Sequence, residues 1–512
     1  MKVFKGMLVL VLALAMSVGI FSTAFAAQGD VTDETLRVAI QGEPQRIGTY
    51  DGGTYGGFIA ENLYNGLIFF NSNTNSYEPC LATKWETIDD CTIRYYLRDD
   101  VYTQNGTQLK ASDVIYTFKL GLQNNMSQAD FSYYDVDNFN VVDDFTIDIK
   151  TFEPFANAFV YLAQASFFIH VEADLEPAGG LAILDTEAPD AYGAYLLKEW
   201  APGDHITLER NENYWGDKSY FKELEISFIQ DDTSRYFAVQ AGDVDLITYA
   251  TASQAAEVAG NPDLQVFQQQ AGTMTAMAFN CGEGCAFDGK EALRKAICYA
   301  INKDAIVQVY TGGYGSPVDI LLPVGNGLYQ SIDEDLKYTY DPEKAKEYLK
   351  EAGYEDGFTF RCILPVTYQK VAEVVQSNLA DIGITMELDS RELAGWLEAS
   401  NAGDYDANMV SFFPGNNIQP FYMMDGRVPY NNKGVTQYPS DEWNDLLDQL
   451  YATPDIESGQ VFSKQLTEIF AEHVPAACLV SKDYLFISDA KLGGFFTNTK
   501  CDMLVLHKLF VQ

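Results

Sequence analysis

The sequence predicts an α/β protein built from interleaved lobes, on three observations. Period-two strands bounded by Asp, Asn and Gly turns recur through the first half of the chain. Amphipathic helices alternate with strands in the second half. No tandem repeat or low-complexity linker divides one part from another. At about 150 residues per domain, 512 residues leave room for about three compact units.

Lys2 and Lys5 precede an apolar stretch from Met7 to Phe21, and Ala24-Phe25-Ala26 then supplies a small-x-small pattern, so residues 1–26 read as a cleaved secretory signal. The apolar run is shorter than the roughly 20 residues needed to span a bilayer, and no later segment qualifies. With no Cys near the cleavage site for lipid attachment, a free periplasmic or otherwise extracytoplasmic protein is expected.

From Thr35, TLRVAI reads as a strand, and QGEPQRIGTYDGGTYGGF then places Gly, Asp and Tyr in a loop at an open strand end before a helix. WETIDD and CTIRYYLRDDVYTQNG form a hairpin region turning at Asp89-Asp90. Ser112-Asp113 read as the cap of a helix over VIYTFKLGLQ, and NFNVVDDFTIDIKT repeats the strand-turn-strand pattern around Asp143-Asp144. AYLLKEWAPGDHITLERN is a hairpin about Pro202-Gly203-Asp204, followed by a strand, LEISFIQ, and a helix, RYFAVQAGDVDLI, closed by Gly242 before a short strand. The strand TMTAMAFN leads to the helix KEALRKAICYAI, with Leu293, Ala296, Ile297 and Ala300 on one face. FTFRCILP, AEVVQSNLADIGI and TMELDS form a strand-helix-strand crossover.

Composition narrows the partners. The 33 Lys+Arg against 73 Asp+Glu give a formal charge of -40, and a field of that sign repels phosphate backbones and anionic headgroups, so no nucleic-acid partner is expected. Hydrophobic residues at 47% and charged residues at 21% are ordinary globular usage, which disfavours disorder and a multi-span membrane protein. Eight Cys in a chain this long are no disulfide framework. The Asp89-Asp90 turn separates Cys80 from Cys91. Cys281 and Cys285 enclose Gly-Glu-Gly and are the preferred bridge, while Cys298, Cys362, Cys478 and Cys501 read equally as buried thiols.

Signatures of chemistry are sparse. No HExxH, GxSxG or EF-hand pattern occurs, and the four His (His170, His205, His473, His507) lie far apart, so neither a metal site nor a cofactor is expected. Gly284 to Lys290 spells GCAFDGK, similar to a phosphate-binding loop, but Glu291 stands where a Ser or Thr would reach magnesium. Acid pairs such as Asp89-Asp90, Asp99-Asp100, Asp143-Asp144 and Asp231-Asp232 fit glycoside hydrolysis on paper, yet most lie in turn signals where Asp bonds its own backbone. Binding without catalysis is the leading class.

Three segments resemble, in order and spacing, the family 5 extracytoplasmic solute-binding proteins, the peptide, nickel and oligosaccharide receptors of ABC importers. They are YEPCLATKWETIDDCTIRYYLRDDVYTQNGTQLKASDVIYTF, YGAYLLKEWAPGDHITLERNENYWGD, and MAFN with ALRKAICYAINKDAIV and YDPEKAKEYLKEAGY. The resemblance implies a periplasmic-binding-protein-like bilobal α/β fold with hinge crossovers and an additional subdomain. By analogy the first lobe takes 31–48, 186–269 and 480–512, the subdomain on it 49–185, and the second lobe 270–479, with hinges near Gly272 and Ala477.

The same resemblance places ligand contacts near YDANMVSFFPGNN, where peptide receptors show an aromatic followed by an acid that holds the ligand amine. Here the aromatic falls on Phe412 and the acid on Gly415, leaving Asn416 and Asn417 as substitutes, and Trp396 lies near where family members present an aromatic to the cleft. Tyr50, Thr54 and Tyr55 in the glycine-rich loop, and Thr367-Tyr368 in LPVTYQK, complete the candidate set, because Tyr and Asn pair apolar faces with hydrogen-bonding tips. The expectation is a monomeric receptor that captures a peptide or similar polar oligomer by lobe closure and delivers it to an ABC permease in the membrane. Its rivals are a secreted hydrolase with a dispersed acidic pair and a sensory ligand-binding receptor.

Overall fold

The computed structural model of the chain describes residues 31–47, 53–71, 74, 76–123, 131–155, 158, 161–258, 260–270, 273–322, 328–412, 419–432, 434–453, 456–497 and 504–512. The expected signal, residues 1–26, lies outside them. Among the described residues no helix is long and apolar enough to cross a membrane.

The first of two large sheets has seven strands in the order Leu264–Gln269, Tyr484–Asp489, Leu246–Ile247, Thr35–Ile40, Glu223–Phe228, His205–Arg210, Tyr195–Ala201. Thr35–Ile40 runs parallel to both neighbours, and a central parallel strand is covered on both faces. TLRVAI meets that demand: Leu36, Val38 and Ile40 enter one core, while Ala39 enters another with Tyr236, Val239 and Val258 of the helices Asp232–Ala241 and Ala252–Val258. The hairpin around Pro202-Gly203-Asp204 ends the sheet, with Gly203 at φ 76, a conformation glycine adopts without steric cost.

The second large sheet has six strands in the order Gly315–Pro317, Ala476–Lys482, Met274–Phe279, Ala407–Phe412, Phe358–Pro365, Ile384–Arg391. The predicted crossover is its parallel pair, in register from Phe358↔Ile384 to Pro365↔Arg391, joined by the helix Gln369–Ala380, which buries Val371, Ala372, Val375 and Leu379. Each sheet with its helices forms one lobe.

Two passages join the lobes, one between Gln269 and Met274 and the other at Asp483, between Lys482 and Tyr484. The return passage expected near Ala477 is therefore displaced: Ala477 pairs with Met277 inside the second sheet, and the strand runs on to Lys482 before crossing. Gly272 lies outside the described residues. At about 3.3–3.6 Å per residue, spacers this short bring the joined strand ends close together. The first sheet therefore presents the carboxyl ends of Thr35–Ile40, Glu223–Phe228 and Leu264–Gln269 to the second. The second presents those of Phe358–Pro365, Ile384–Arg391 and Ala407–Phe412 in return.

A further sheet orders the strands Ala82–Asp89, Thr92–Leu97, Thr146–Lys150, Asn140–Asp143, with turns at the expected aspartate pairs. Against it lies the helix Ala111–Gln123, whose Phe118 meets the ring edges of Phe131, Tyr134, Phe139 and Phe167. Gly121 permits this closeness: a Cβ there would lie 2.5 Å from the Phe131 ring. Ser112 and Asp113 sit inside the first turn and not at its cap. The Asp113 carboxylate accepts the backbone N–H of Lys110 (2.8 Å) and of Glu172 (3.1 Å), tying together two helix starts. Nearby, His170 Nδ1 lies 2.8 Å from Asp190, whose other oxygen accepts the Tyr64 hydroxyl at 2.9 Å, a buried polar knot that satisfies its own groups.

The described cysteines are unbridged. The preferred pair does not form, because Cys281 Sγ turns into the core towards the Phe279 carbonyl (3.5 Å) while Cys285 stays half-buried across a tight turn. Cys80 and Cys91 lie apart as expected. Cys298, Cys362 and Cys478 are buried thiols, and burial pushes Cys298 up to about 12. Cys501 lies outside the described residues.

Burial raises the Asp113 carboxyl to about 6, despite its two N–H donors. A folded-state value raised in this way favours the native state while the proton is held. The contribution is therefore complete below about pH 4 and is lost as pH rises through 6, a span worth about 3 kcal/mol. Denaturant melts of D113N between pH 5 and pH 8 should show a shallower loss of stability than the parent protein, and equal slopes would exclude Asp113 as the source.

Candidate functional site

Helices cover both faces of a parallel sheet, so the strand ends are the surface left free, and ligands of open α/β sheets settle there. In this chain the two passages turn two such edges towards one another, which makes the space between them, a crevice by topology, the candidate site.

The first-lobe wall starts at Gln41, directly after Thr35–Ile40. Its Oε1 accepts the Tyr55 hydroxyl (3.3 Å) and its Nε2 donates to Asp232 (3.4 Å), linking the helix Gly53–Leu63 to the first turn of Asp232–Ala241. Asp231 caps that turn by accepting from Ser234, whose hydroxyl and N–H hold the Asp231 carboxyl below its usual range. Arg235, 1% exposed, donates to the carbonyls of Ile229 and Gln230 and to Asp232 (2.7, 3.0 and 2.6 Å), so this cation braces the rim. Thr248 is buried at the end of Leu246–Ile247, and its hydroxyl finds no partner among the described residues. Tyr249 follows at φ 55, unusual for a residue other than glycine, with its ring edge-on to Tyr484 of the return passage.

The second-lobe wall is built from the ends of three strands. Phe358–Pro365 runs into Val366-Thr367-Tyr368, and the Tyr368 hydroxyl is hydrogen-bonded to that of Ser411 on Ala407–Phe412. Ile384–Arg391 runs into the helix Leu393–Ala402. There Leu393 and Leu397, one turn apart, are 62% and 44% exposed, and Val366, which follows the end of the neighbouring strand, is 44% exposed. The adjoining stripe of this helix is fixed: Trp396 Nε1 donates to Asn408 Oδ1 (2.8 Å), and Asn408, fully buried, donates to Ser400 Oγ (2.9 Å). One carboxylate here is doubly paired. Asp389 receives Arg391 at 2.7 Å and Arg361 at 3.2 Å, and its hydrogen bonds from Arg391 draw its carboxyl below the usual range.

Of the sequence-predicted residues, Tyr55, Thr367, Tyr368 and Trp396 come to the two walls. Thr367 is exposed and the other three are half-buried. Thr54 lies on the same helix as Tyr55, with its side chain outside the described residues. Tyr50, Asn416 and Asn417 lie wholly outside them. Phe412 is placed differently from expectation: at 1% exposure it packs with Met274, Val410 and Phe421, because alternation along ANMVSF turns it to the same inner face as Val410. Gln41, Asp232, Val366, Leu393 and Leu397 were missed. The available signal was position, since each follows a strand or opens a helix at a carboxyl edge, apart from Leu397, which lies one turn further along the helix that Leu393 opens. Among the described residues, no three His, Cys, Asp or Glu side chains are grouped to hold a metal ion.

Comparison with known proteins agrees with this geometry. The profile of the bacterial extracellular solute-binding proteins, family 5, middle region, matches residues 76–434. The chain is similar to heme-binding protein A of Haemophilus influenzae, at 28% identity over 448 residues and 81% of each chain. It is also similar to the dipeptide-binding protein of Escherichia coli, at 25% identity over 496 residues, 90% of this chain and 92% of that one. Its fold matches that of HbpA2 from Haemophilus parasuis with a TM-score of 0.82 and 20% identity, covering 94% of this chain and 100% of that one.

Replacing Trp396 by Phe keeps the ring but leaves a buried acceptor on Asn408 unpaired, at a cost of about 1–3 kcal/mol. The denaturation midpoint of W396F should fall accordingly. An unchanged midpoint would mean that the indole does not anchor this helix.

Proposed function

Because the chain belongs to the bacterial extracellular solute-binding proteins of family 5, we propose that it is a receptor that captures peptides for an ABC importer. Proteins of this family are extracytoplasmic substrate-binding receptors rather than enzymes, and they deliver small ligands or peptides to an ABC permease. The finer assignment to peptides, the action as a monomer and capture by lobe closure are our reading.

One observation carries the peptide assignment: exposed aliphatic side chains, Val366, Leu393 and Leu397, and neutral hydrogen-bonding tips, Thr367 and Tyr368, follow adjacent strand ends of one sheet, where Asp389 is already ion-paired. A peptide alternates side chains with uncharged amide donors and acceptors, and this wall offers a complement to both. Tyr55, Gln41, Thr367 and Tyr368 would meet the amides. Tyr50, Thr54, Asn416 and Asn417 belong to the proposed site by their place in the sequence alone. Gly415 stands where a peptide-type signature carries an acid, so recognition here leans on the ligand's backbone and side chains more than on its amine. The similarity to a dipeptide-binding protein supports this reading.

Native mass spectrometry of the protein as purified should release a mass that fragments into amino acids, intact after prolonged incubation. Cleaved products would favour a hydrolase, and a heme absorption band would redirect the assignment. In calorimetry on stripped protein, Leu-Leu-Leu should bind more tightly than Gly-Gly-Gly. Leu393→Asp should weaken the former by about tenfold or more, the scale expected when one leucine side chain no longer covers the ligand; equal affinities would remove the aliphatic wall from the site.

A further inference from the structure

Two helices from different lobes meet beside the passages. Lys303–Thr311 is packed into the second lobe through Ile306 and Val307, and Ala252–Val258 into the first through Val258. The second-lobe helix ends at Gly312, which at φ 62 closes it by donating its N–H to the Val307 carbonyl. A Cβ placed on Gly312 would lie 2.7 Å from Ala252 Cβ, well inside the roughly 3.5–4.0 Å at which carbon atoms pack. The glycine backbone therefore already rests against the other lobe.

This contact is keyed to the return passage. The segment after Gly312 enters the strand Gly315–Pro317, where Gly315 pairs with Lys482 and a Cβ would lie 2.5 Å from the Ser481 carbonyl. The crossing residue Asp483 donates its N–H to the Tyr314 carbonyl (3.2 Å) and accepts Gln268 Nε2 (2.5 Å) from the outgoing strand. Residues 312–315 thus hold the crossing backbone on one side and the opposite lobe on the other.

We propose that Gly312 against Ala252 is a mechanical stop that sets how the two lobes can be oriented about their passages. Rotation that brings these two helices closer is barred by backbone contact, whereas rotation that separates them is not. The openings accessible to the ligand-free receptor then depend on the absence of one methyl group. Ligand affinity, which follows the population of the competent orientation, depends on it without any contact to the ligand.

The test uses ligand-free full-length protein and four variants, G312A, A252G, the double variant and A252L, measured by small-angle X-ray scattering and thermal melting. Alanine at a positive φ is strained in both G312A and the double variant, and A252G alone gives the cost of glycine in its helix, so the difference that remains is the collision. G312A should change the scattering profile and lower the melting temperature. The double variant should return the profile to that of the parent and recover at least half of the drop in melting temperature. A252L adds bulk from the opposite lobe with no backbone strain, and should shift the profile even if G312A fails to fold. Profiles identical across the set, or a double variant that keeps the G312A profile, would overturn the proposal.

Discussion

Two short passages of backbone, one between Gln269 and Met274 and one at Asp483, constrain everything else in this molecule. They join the carboxyl edges of two sheets whose faces are occupied by helices, so the crevice between those edges is the surface that the fold leaves open. The loops that follow the strands then become its walls. Gln41, Asp232 and Tyr249 on one side, and Val366, Tyr368 and Leu393 on the other, are brought together by strand direction although they are scattered over some 350 positions of the chain.

Charge reinforces that arrangement. A formal charge of -40 implies self-repulsion across the surface and a field that favours cations at a distance. At the crevice rim, however, Asp232 is held by Arg235, and Asp389 by Arg391 and Arg361. The partly exposed pairs at Asp389 add little stability, but all three pairs cancel charge locally. At the proposed site these two carboxylates would then be poor anchors for a ligand cation, and shape, aliphatic contact and neutral hydrogen bonds would gain weight.

The sheets were legible because period and turn chemistry agree along them. TLRVAI, ELEISF and the Pro202-Gly203-Asp204 turn stand where alternation and turn residues place them. What escaped was decided by tertiary partners. Asp113 reads as a cap by composition, but the Ala111 N–H is taken by the distant Asp144 carbonyl (2.8 Å), so the helix starts earlier. Within AACLVSKDYLFISD the resemblance sets the crossing near Ala477, and only pairing with two different sheets shows that the division falls at Asp483. An aromatic at a strand end, Phe412, invites a ligand role until the face it shares with Val410 is known. An exposed leucine such as Leu393 cannot be told by sequence from a buried one. The local spacing of Cys281 and Cys285 says nothing of where their sulfurs point.

The proposed lobe closure would set an energetic requirement that these walls can be weighed against. Moving an equilibrium from 1:99 to 99:1 takes about 5.5 kcal/mol of differential affinity between the two states. Val366, Leu393 and Leu397 each keep roughly half of their surface free, and covering the remainder contributes about 1 kcal/mol apiece, or about 3 kcal/mol together. Aliphatic contact alone therefore falls short, and the balance must come from polar groups that find partners only when the lobes approach. Thr248, buried with its hydroxyl unpartnered among the described residues, and the amide of Gln41, suspended between Tyr55 and Asp232 at 3.3 and 3.4 Å, are positioned for that role. The long hydrogen bonds of Gln41 are cheap to exchange for shorter ones to a ligand, whereas the tight contacts of Arg235 and Trp396 are not. The walls thus divide into a rigid frame and a few weakly engaged groups, and the second set is where the proposed ligand-dependent closure would have free energy to gain.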